Sequence, residues 1–112
     1  MTDENPILEI RTYRATEGKF DALLQRFVTQ VVPRLPNHGI ELVGLYTADQ
    51  PDERLVYLTR FAREEDRVAG WKSFGSDPDW LAAKAASEAD GPLLERQEVT
   101  VLSAVDGVAR LV

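Results

Sequence analysis

Polar and apolar positions alternate along this chain in blocks whose period switches between two and three-to-four. Leu8, Ile10 and Thr12 alternate with Glu9, Arg11 and Tyr13, the pattern of a strand whose two faces meet different surroundings. One face is apolar; the other carries an acid, a base and a phenol, which suits a pocket wall or a subunit interface. Ala15 to Lys19 supplies turn chemistry, with Gly18 easing the bend. Phe20, Leu23, Leu24, Phe27, Val28, Val31, Val32 and Leu35 then recur at spacings of three and four, the stripe of an amphipathic helix laid on a sheet. Pro33 and Pro36 kink its last turn or end it early, and Asn37-His38-Gly39 makes a left-handed exit. Ile40 to Ala48 is a second strand, with Ile40, Leu42, Gly44 and Tyr46 on one side and Glu41, Val43, Leu45 and Thr47 on the other. Gly44 inside it signals a bulge or a close approach. A loop over Asp49 to Glu53 leads to a third strand, Arg54 to Phe61, antiparallel to the second.

The helical period returns with the acidic start Glu64-Glu65-Asp66 and the stripe Val68, Trp71 and Phe74. Gly75-Ser76 stops that helix. Asp77 as N-cap and Pro78 at the first helical position start another, with Leu81 to Ala89 as its body and Gly91-Pro92 as its end. Leu93 to Leu102 reads as a closing strand, and residues 1–6 and 104–112 as tails that fray or lie along a partner. The order β-α-β-β-α-β predicts an α+β, ferredoxin-like fold with helices on one face of a four-stranded antiparallel sheet. The uncovered face carries apolar side chains and invites a homodimer through that face. A cavity between each sheet and its own helices is then the natural small-molecule site.

Composition narrows the function. The 112 residues bound a single domain. Thirteen Lys and Arg against nineteen Asp and Glu leave a formal charge of −6 without a basic cluster, so a nucleic-acid partner is not expected. With no cysteine there is no disulfide, thiol catalysis or thiolate metal site. The N-terminus Met1-Thr2-Asp3-Glu4-Asn5-Pro6 is acidic and polar, unlike a signal peptide, and no apolar run approaches the roughly 18 residues of a membrane span. The expected location is cytoplasmic, without a membrane partner.

Leu8 to Tyr13 followed by Glu17-Gly18-Lys19, then His38-Gly39-Ile40 with Val43-Gly44, and finally Ser76-Asp77-Pro78-Asp79-Trp80, together resemble the NIPSNAP family of the dimeric α+β barrel superfamily, from about residue 7 to residue 102. The resemblance implies the fold and a dimer. It implies little chemistry, since the superfamily also holds cofactor-free monooxygenases of polyketide tailoring, polyketide cyclases, muconolactone-type isomerases, stress-responsive barrels and haem-handling enzymes.

Candidate chemistry is sparse. His38, the single histidine, is an acid–base group that can move a proton to or from a substrate; the alternative is a helix-terminal ring that stabilises the preceding carbonyls. Arg11 and Tyr13 share a face with Glu9 and can hold an enolate or phenolate oxygen; the alternative is an Arg11–Glu9 ion pair with Tyr13 packed beside it. Tyr46, Tyr57, Phe61, Trp71, Phe74 and Trp80 line an aromatic pocket for a flat substrate or are core. One histidine among scattered carboxylates does not make a metal site. Without a phosphate loop or nucleophile elbow, nucleotide and hydrolase readings find no motif. The expectation is a cofactor-independent enzyme of monooxygenase, cyclase or isomerase type acting on an aromatic or polyketide-like metabolite, with catalytic His38, Arg11 and Tyr13. The alternative is a non-catalytic ligand-binding or structural dimer module.

Overall fold

The computed structural model describes residues 6–108. Strand β1 (Ile7–Ala15) leads into α1 (Phe20–Arg26), whose path continues through a π turn (Phe27–Val31) and a 3-10 segment (Val32–His38). Strands β2 (Glu41–Ala48) and β3 (Arg54–Phe61) form a hairpin, α2 (Glu64–Gly75) and α3 (Pro78–Ser87) follow, and β4 (Leu94–Ser103) closes the chain. The sheet order is β2-β3-β1-β4, antiparallel throughout. This is the ferredoxin-like arrangement, with β1 and β3 central.

The prolines change the helix rather than end it. Pro33 lies near the start of the 3-10 segment and Pro36 inside it, and neither has an N–H to bond a carbonyl four residues back, so the path tightens. It stops at Gly39, whose φ of 72° is the left-handed exit expected there. The preceding π turn widens the helix and rotates its apolar stripe. Leu23, Phe27, Val31 and Leu35 are buried, whereas Val28, expected in the stripe, is exposed. Val68 of α2 is likewise exposed, and the buried positions of that helix are Gly70 and Phe74.

On β1, Glu9, Arg11 and Tyr13 pair with Thr59, Tyr57 and Leu55 and face the helices. Leu8, Ile10 and Thr12 pair with Arg60, Leu58 and Val56 and face the open side. A register shift between Leu42 and Gly44 corrects the parity expected for β2. Leu42, Leu45 and Thr47 oppose Thr59, Tyr57 and Leu55, while Glu41, Gly44 and Tyr46 oppose Arg60, Leu58 and Val56. Tyr46, 57% exposed, therefore lies on the open face and cannot share a pocket with Tyr57. Its ring covers Gly44, where a Cβ would stand 2.5 Å from the Tyr46 hydroxyl, the close approach that glycine at this position permits.

The core sits between helices and sheet, built on Phe27, Leu35, Ile40, Leu55, Tyr57, Phe61 and Phe74. Tyr57 packs against Phe27 at 4.5 Å and edge-on to Tyr13 at 5.3 Å between ring centroids. The middle of the space expected to be hollow is thus filled by the chain's own rings. The helical layer stops short of β4, which is exposed beyond Leu94. Of the expected tails, residues 1–5 and 109–112 lie outside the described residues; Pro6 has no regular structure, and 104–108 form a turn closed by Val108 N–H on the Val105 carbonyl at 3.4 Å. Among the described residues no helix is long and apolar enough to cross a membrane.

Candidate functional site

Two groups of polar side chains stand out, one beneath the helices and one at their edge. In the first, the Glu9 carboxylate has no exposure to solvent and is met by donors from three elements. Its Oε1 accepts from Arg11 Nε at 2.9 Å, Trp71 Nε1 at 2.8 Å and Thr59 Oγ1 at 3.0 Å; its Oε2 accepts from Arg67 Nη1 at 2.8 Å and Arg11 Nη2 at 3.2 Å. Burial by itself would raise the Glu9 pKa, but the hydrogen bonds from Arg11, Arg67 and Trp71 and the charge of Arg11 outweigh it and hold the carboxyl below its ordinary value. Arg11 also lies over the Trp71 ring at 4.1 Å. Beside it the Tyr13 and Tyr57 hydroxyls share a hydrogen bond of 2.7 Å. Burial, and next the neighbouring Tyr13 phenol, push the Tyr57 hydroxyl well above the ordinary tyrosine value, so it serves as a hydrogen-bonding group and not as a base.

The second group is built on His38, the last residue of the 3-10 segment. Its Nδ1 lies 2.6 Å from Ser73 Oγ on α2, and its Nε2 lies 2.8 Å from Asp77 Oδ2 at the start of α3. The Phe74 ring meets the imidazole edge-on at 5.7 Å. The other Asp77 oxygen, Oδ1, caps α3 by accepting from the Asp79 and Trp80 N–H groups at 2.9 and 3.4 Å. The hydrogen bond from His38, and then those backbone donors, hold the Asp77 carboxyl below its ordinary value. His38 and Ser73 line an open cleft of about 630 Å³ together with Asn37, Arg60, Phe61 and Gly70. An apolar hollow of about 560 Å³, lined by Val32, Leu35, Pro36, Ile40 and Leu42, adjoins it at Gly39 and Glu41.

The close seating of α2 holds this geometry. A Cβ on Gly70 would stand 3.1 Å from both the His38 carbonyl oxygen and Ile40 Cγ1. Gly70→Ala is therefore expected to push α2 off the 3-10 segment at an overpacking cost of about 1–3 kcal/mol. A shifted denaturant midpoint checks the cost, and a shifted His38 ring resonance in NMR checks the displacement.

The NIPSNAP family model matches residues 8–107. The chain belongs to the NIPSNAP family. Solved NIPSNAP structures carry the same fold: a NIPSNAP family protein from Agrobacterium tumefaciens is 25% identical, with a TM-score of 0.78 over 96% of this chain and 95% of that one. A NIPSNAP domain protein from Burkholderia xenovorans is also 25% identical, with a TM-score of 0.77 over 93% and 99% of the two chains. At 14% identity, a Caulobacter crescentus protein named as a candidate antibiotic biosynthesis monooxygenase shares the fold alone, with a TM-score of 0.60 over 92% of each chain. No curated protein matches. The NIPSNAP chain thus shares the ferredoxin-like α+β fold of its solved relatives.

Within this NIPSNAP domain the residues singled out from the sequence do not converge on one point. Glu9, Arg11, Tyr13, Tyr57 and Trp71 cluster beneath the helices, and neither Arg11 nor Tyr13 lines the His38 cleft. Phe61 lines that cleft and Phe74 braces His38. Trp80 packs on Phe74 at 5.2 Å and beneath Arg26 at 5.3 Å, and Tyr46 is on the far side of the sheet. Ser73 and Arg67 carry no site reading in the sequence, and Asp77 only that of an N-cap, which its bonds from the Asp79 and Trp80 N–H groups bear out. The i, i+4 spacing of Ser73 and Asp77 is the signal that joins those two, obscured by the break at Gly75-Ser76. Among the described residues no group of three or more His, Cys, Asp or Glu side chains is placed to hold a metal ion.

Proposed function

We propose that this protein is a homodimeric, small-molecule-binding α+β barrel protein of the cytoplasm that works as a cofactor-independent acid–base enzyme of monooxygenase, cyclase or isomerase type on an aromatic or polyketide-like metabolite. The observation that carries the reading is His38, held at both ring nitrogens in the wall of an open cleft. A carboxylate on Nε2 favours the tautomer that donates there and leaves Nδ1 as the accepting nitrogen, the arrangement of an oriented general base. Proton abstraction beside a carbonyl or from a phenol is the first step common to the three reaction types, and it needs a placed base more than a cofactor. The apolar hollow next to the cleft suits a flat, hydrophobic body. Arg11 is already committed to Glu9 and Trp71, and Arg60 is bonded through Nε and Nη2 to Glu41, so the oxyanion role is left to Asn37, which lines the cleft.

The test uses 1-tetralone, a bicyclic aryl ketone, in D₂O, with exchange at the carbon next to the carbonyl followed by proton NMR. The wild-type protein is expected to accelerate exchange and His38→Gln to lower that acceleration by about 10²–10⁴-fold, with its melting curve close to wild type. Equal acceleration by both proteins, or none across a panel of aryl ketones, would remove the acid–base reading and leave the non-catalytic module.

A further inference from the structure

We propose that Ser73 is a nucleophile and that the Ser73–His38–Asp77 arrangement gives this protein an acyl-transfer activity toward uncharged carboxylic esters. The inference rests on reading His38 as a base, but not on carbon-acid chemistry. A hydroxyl becomes an effective nucleophile when a base within hydrogen-bond reach takes its proton and a third group fixes the base. All three requirements meet here: Ser73 Oγ is 2.6 Å from Nδ1, Nε2 is 2.8 Å from Asp77 Oδ2, and the remaining Asp77 oxygen is pinned by the first backbone N–H groups of α3. The two ring nitrogens are exchanged relative to the familiar serine protease arrangement; the proton path from hydroxyl to imidazole is the same.

The serines at the ends of α2 and α3 donate locally. Ser76 Oγ turns back onto the Lys72 and Ser73 carbonyls and Ser87 Oγ onto the Lys84 carbonyl, the usual local bonding of helix serines. Ser73 is bonded instead to a ring nitrogen 35 residues away in sequence and lines the cleft. Glu41 and Arg60 line the same cleft as a mutual ion pair, and Asp66 there is met by Arg63, a balanced charge that favours neither an anionic nor a cationic ligand. The adjoining hollow, walled by Val32, Leu35 and Ile40, takes a short alkyl or aryl group.

The reaction balances without a co-reactant other than water. Ser73 Oγ bonds to the ester carbonyl carbon as its proton passes to His38 Nδ1. The tetrahedral oxyanion, beside Asn37, collapses and breaks the bond to the alkoxy group, which leaves as the alcohol with the proton from Nδ1. Water, deprotonated by the same nitrogen, then adds to acyl-Ser73 and releases the carboxylic acid, restoring the hydroxyl.

The full chain is treated with an alkyl fluorophosphonate and followed by intact-mass and peptide-mapping mass spectrometry. One adduct on Ser73 is expected, absent in Ser73→Ala and formed at least about a hundredfold more slowly in His38→Gln. Asp77→Asn keeps an N-cap residue while removing the carboxylate, and is expected to slow labelling and change its pH profile. No adduct on the folded wild-type protein, an adduct on another residue, or equal labelling of wild type and His38→Gln overturns the assignment. The two proposals fail separately. In the wild-type protein, exchange without phosphonylation removes the nucleophile alone, and phosphonylation without exchange removes only the carbon-acid reading.

Discussion

Glu9→Gln is expected to lower the stability of the folded protein by about 3–5 kcal/mol, the usual consequence of removing one partner from a buried ion pair. The substitution changes little volume, so packing contributes little. It leaves the guanidinium groups of Arg11 and Arg67 without their shared buried countercharge, and it turns an amide N–H₂ toward donors that need an acceptor. Urea unfolding followed by circular dichroism measures the loss; a midpoint within error of wild type would show that the carboxylate contributes no net stability. The pH dependence carries a sign of its own. The folded-state pKa of Glu9 lies below its ordinary value, so its stabilising contribution is present above the unfolded-state pKa of about 4.3 and lost as pH falls through the lower folded-state value. The gap between wild type and Glu9→Gln is therefore expected to narrow below about pH 4, and a gap that widens there contradicts the assignment.

Leu58→Glu is expected to convert the proposed dimer to a monomer at micromolar concentration while leaving the fold intact. Leu58 lies on the open face between Ile10 of β1 and Gly44 of β2, with Leu8, Val56 and Leu102 on the same face. In a two-fold sheet-to-sheet interface each substitution occurs twice. Two carboxylates buried near one another cost several kcal/mol, on the order of a thousandfold or more in the dissociation constant. Sedimentation velocity reads the change, and far-ultraviolet circular dichroism checks the fold. Wild-type protein that sediments as a monomer at micromolar concentration, or a Leu58→Glu variant that remains a dimer, would remove the sheet-face interface.

Much of the fold is legible in the sequence, because alternation and helical spacing report burial directly. Leu8 to Tyr13 has the predicted parity because β1 and β3 pair without a shift. β2 does not, since a bulge displaces one residue and reverses the faces thereafter; Gly44 hinted at the bulge but not at its direction. Val28 was lost to a π turn, which strict helical periodicity cannot represent. The site was less legible for another reason. Arg67 reaches Glu9 across 58 residues, and Ser73 and Asp77 reach His38 across 35 and 39. Such convergence is a property of how helices seat on a sheet, which local spacing does not encode. The isolated histidine is visible in the sequence, and Asp77 is visible as a helix cap; that Ser73 and Asp77 both meet His38 is not.

Helix α3 buries none of its residues, so it is moored rather than embedded. At its beginning Asp77 ties it to His38, and just past its end Glu88, with Ser87, receives Arg26 Nη1 at 2.9 and 3.0 Å. Trp80 near its start rests on the Phe74 ring, whereas the fastening past its end, Arg26 to Glu88, is ionic, and ionic attraction weakens with added electrolyte far more than oily contact does. The two ends of this helix therefore answer to different features of the medium: brine slackens the end fastened by charge, while the end seated on the ring keeps its grip.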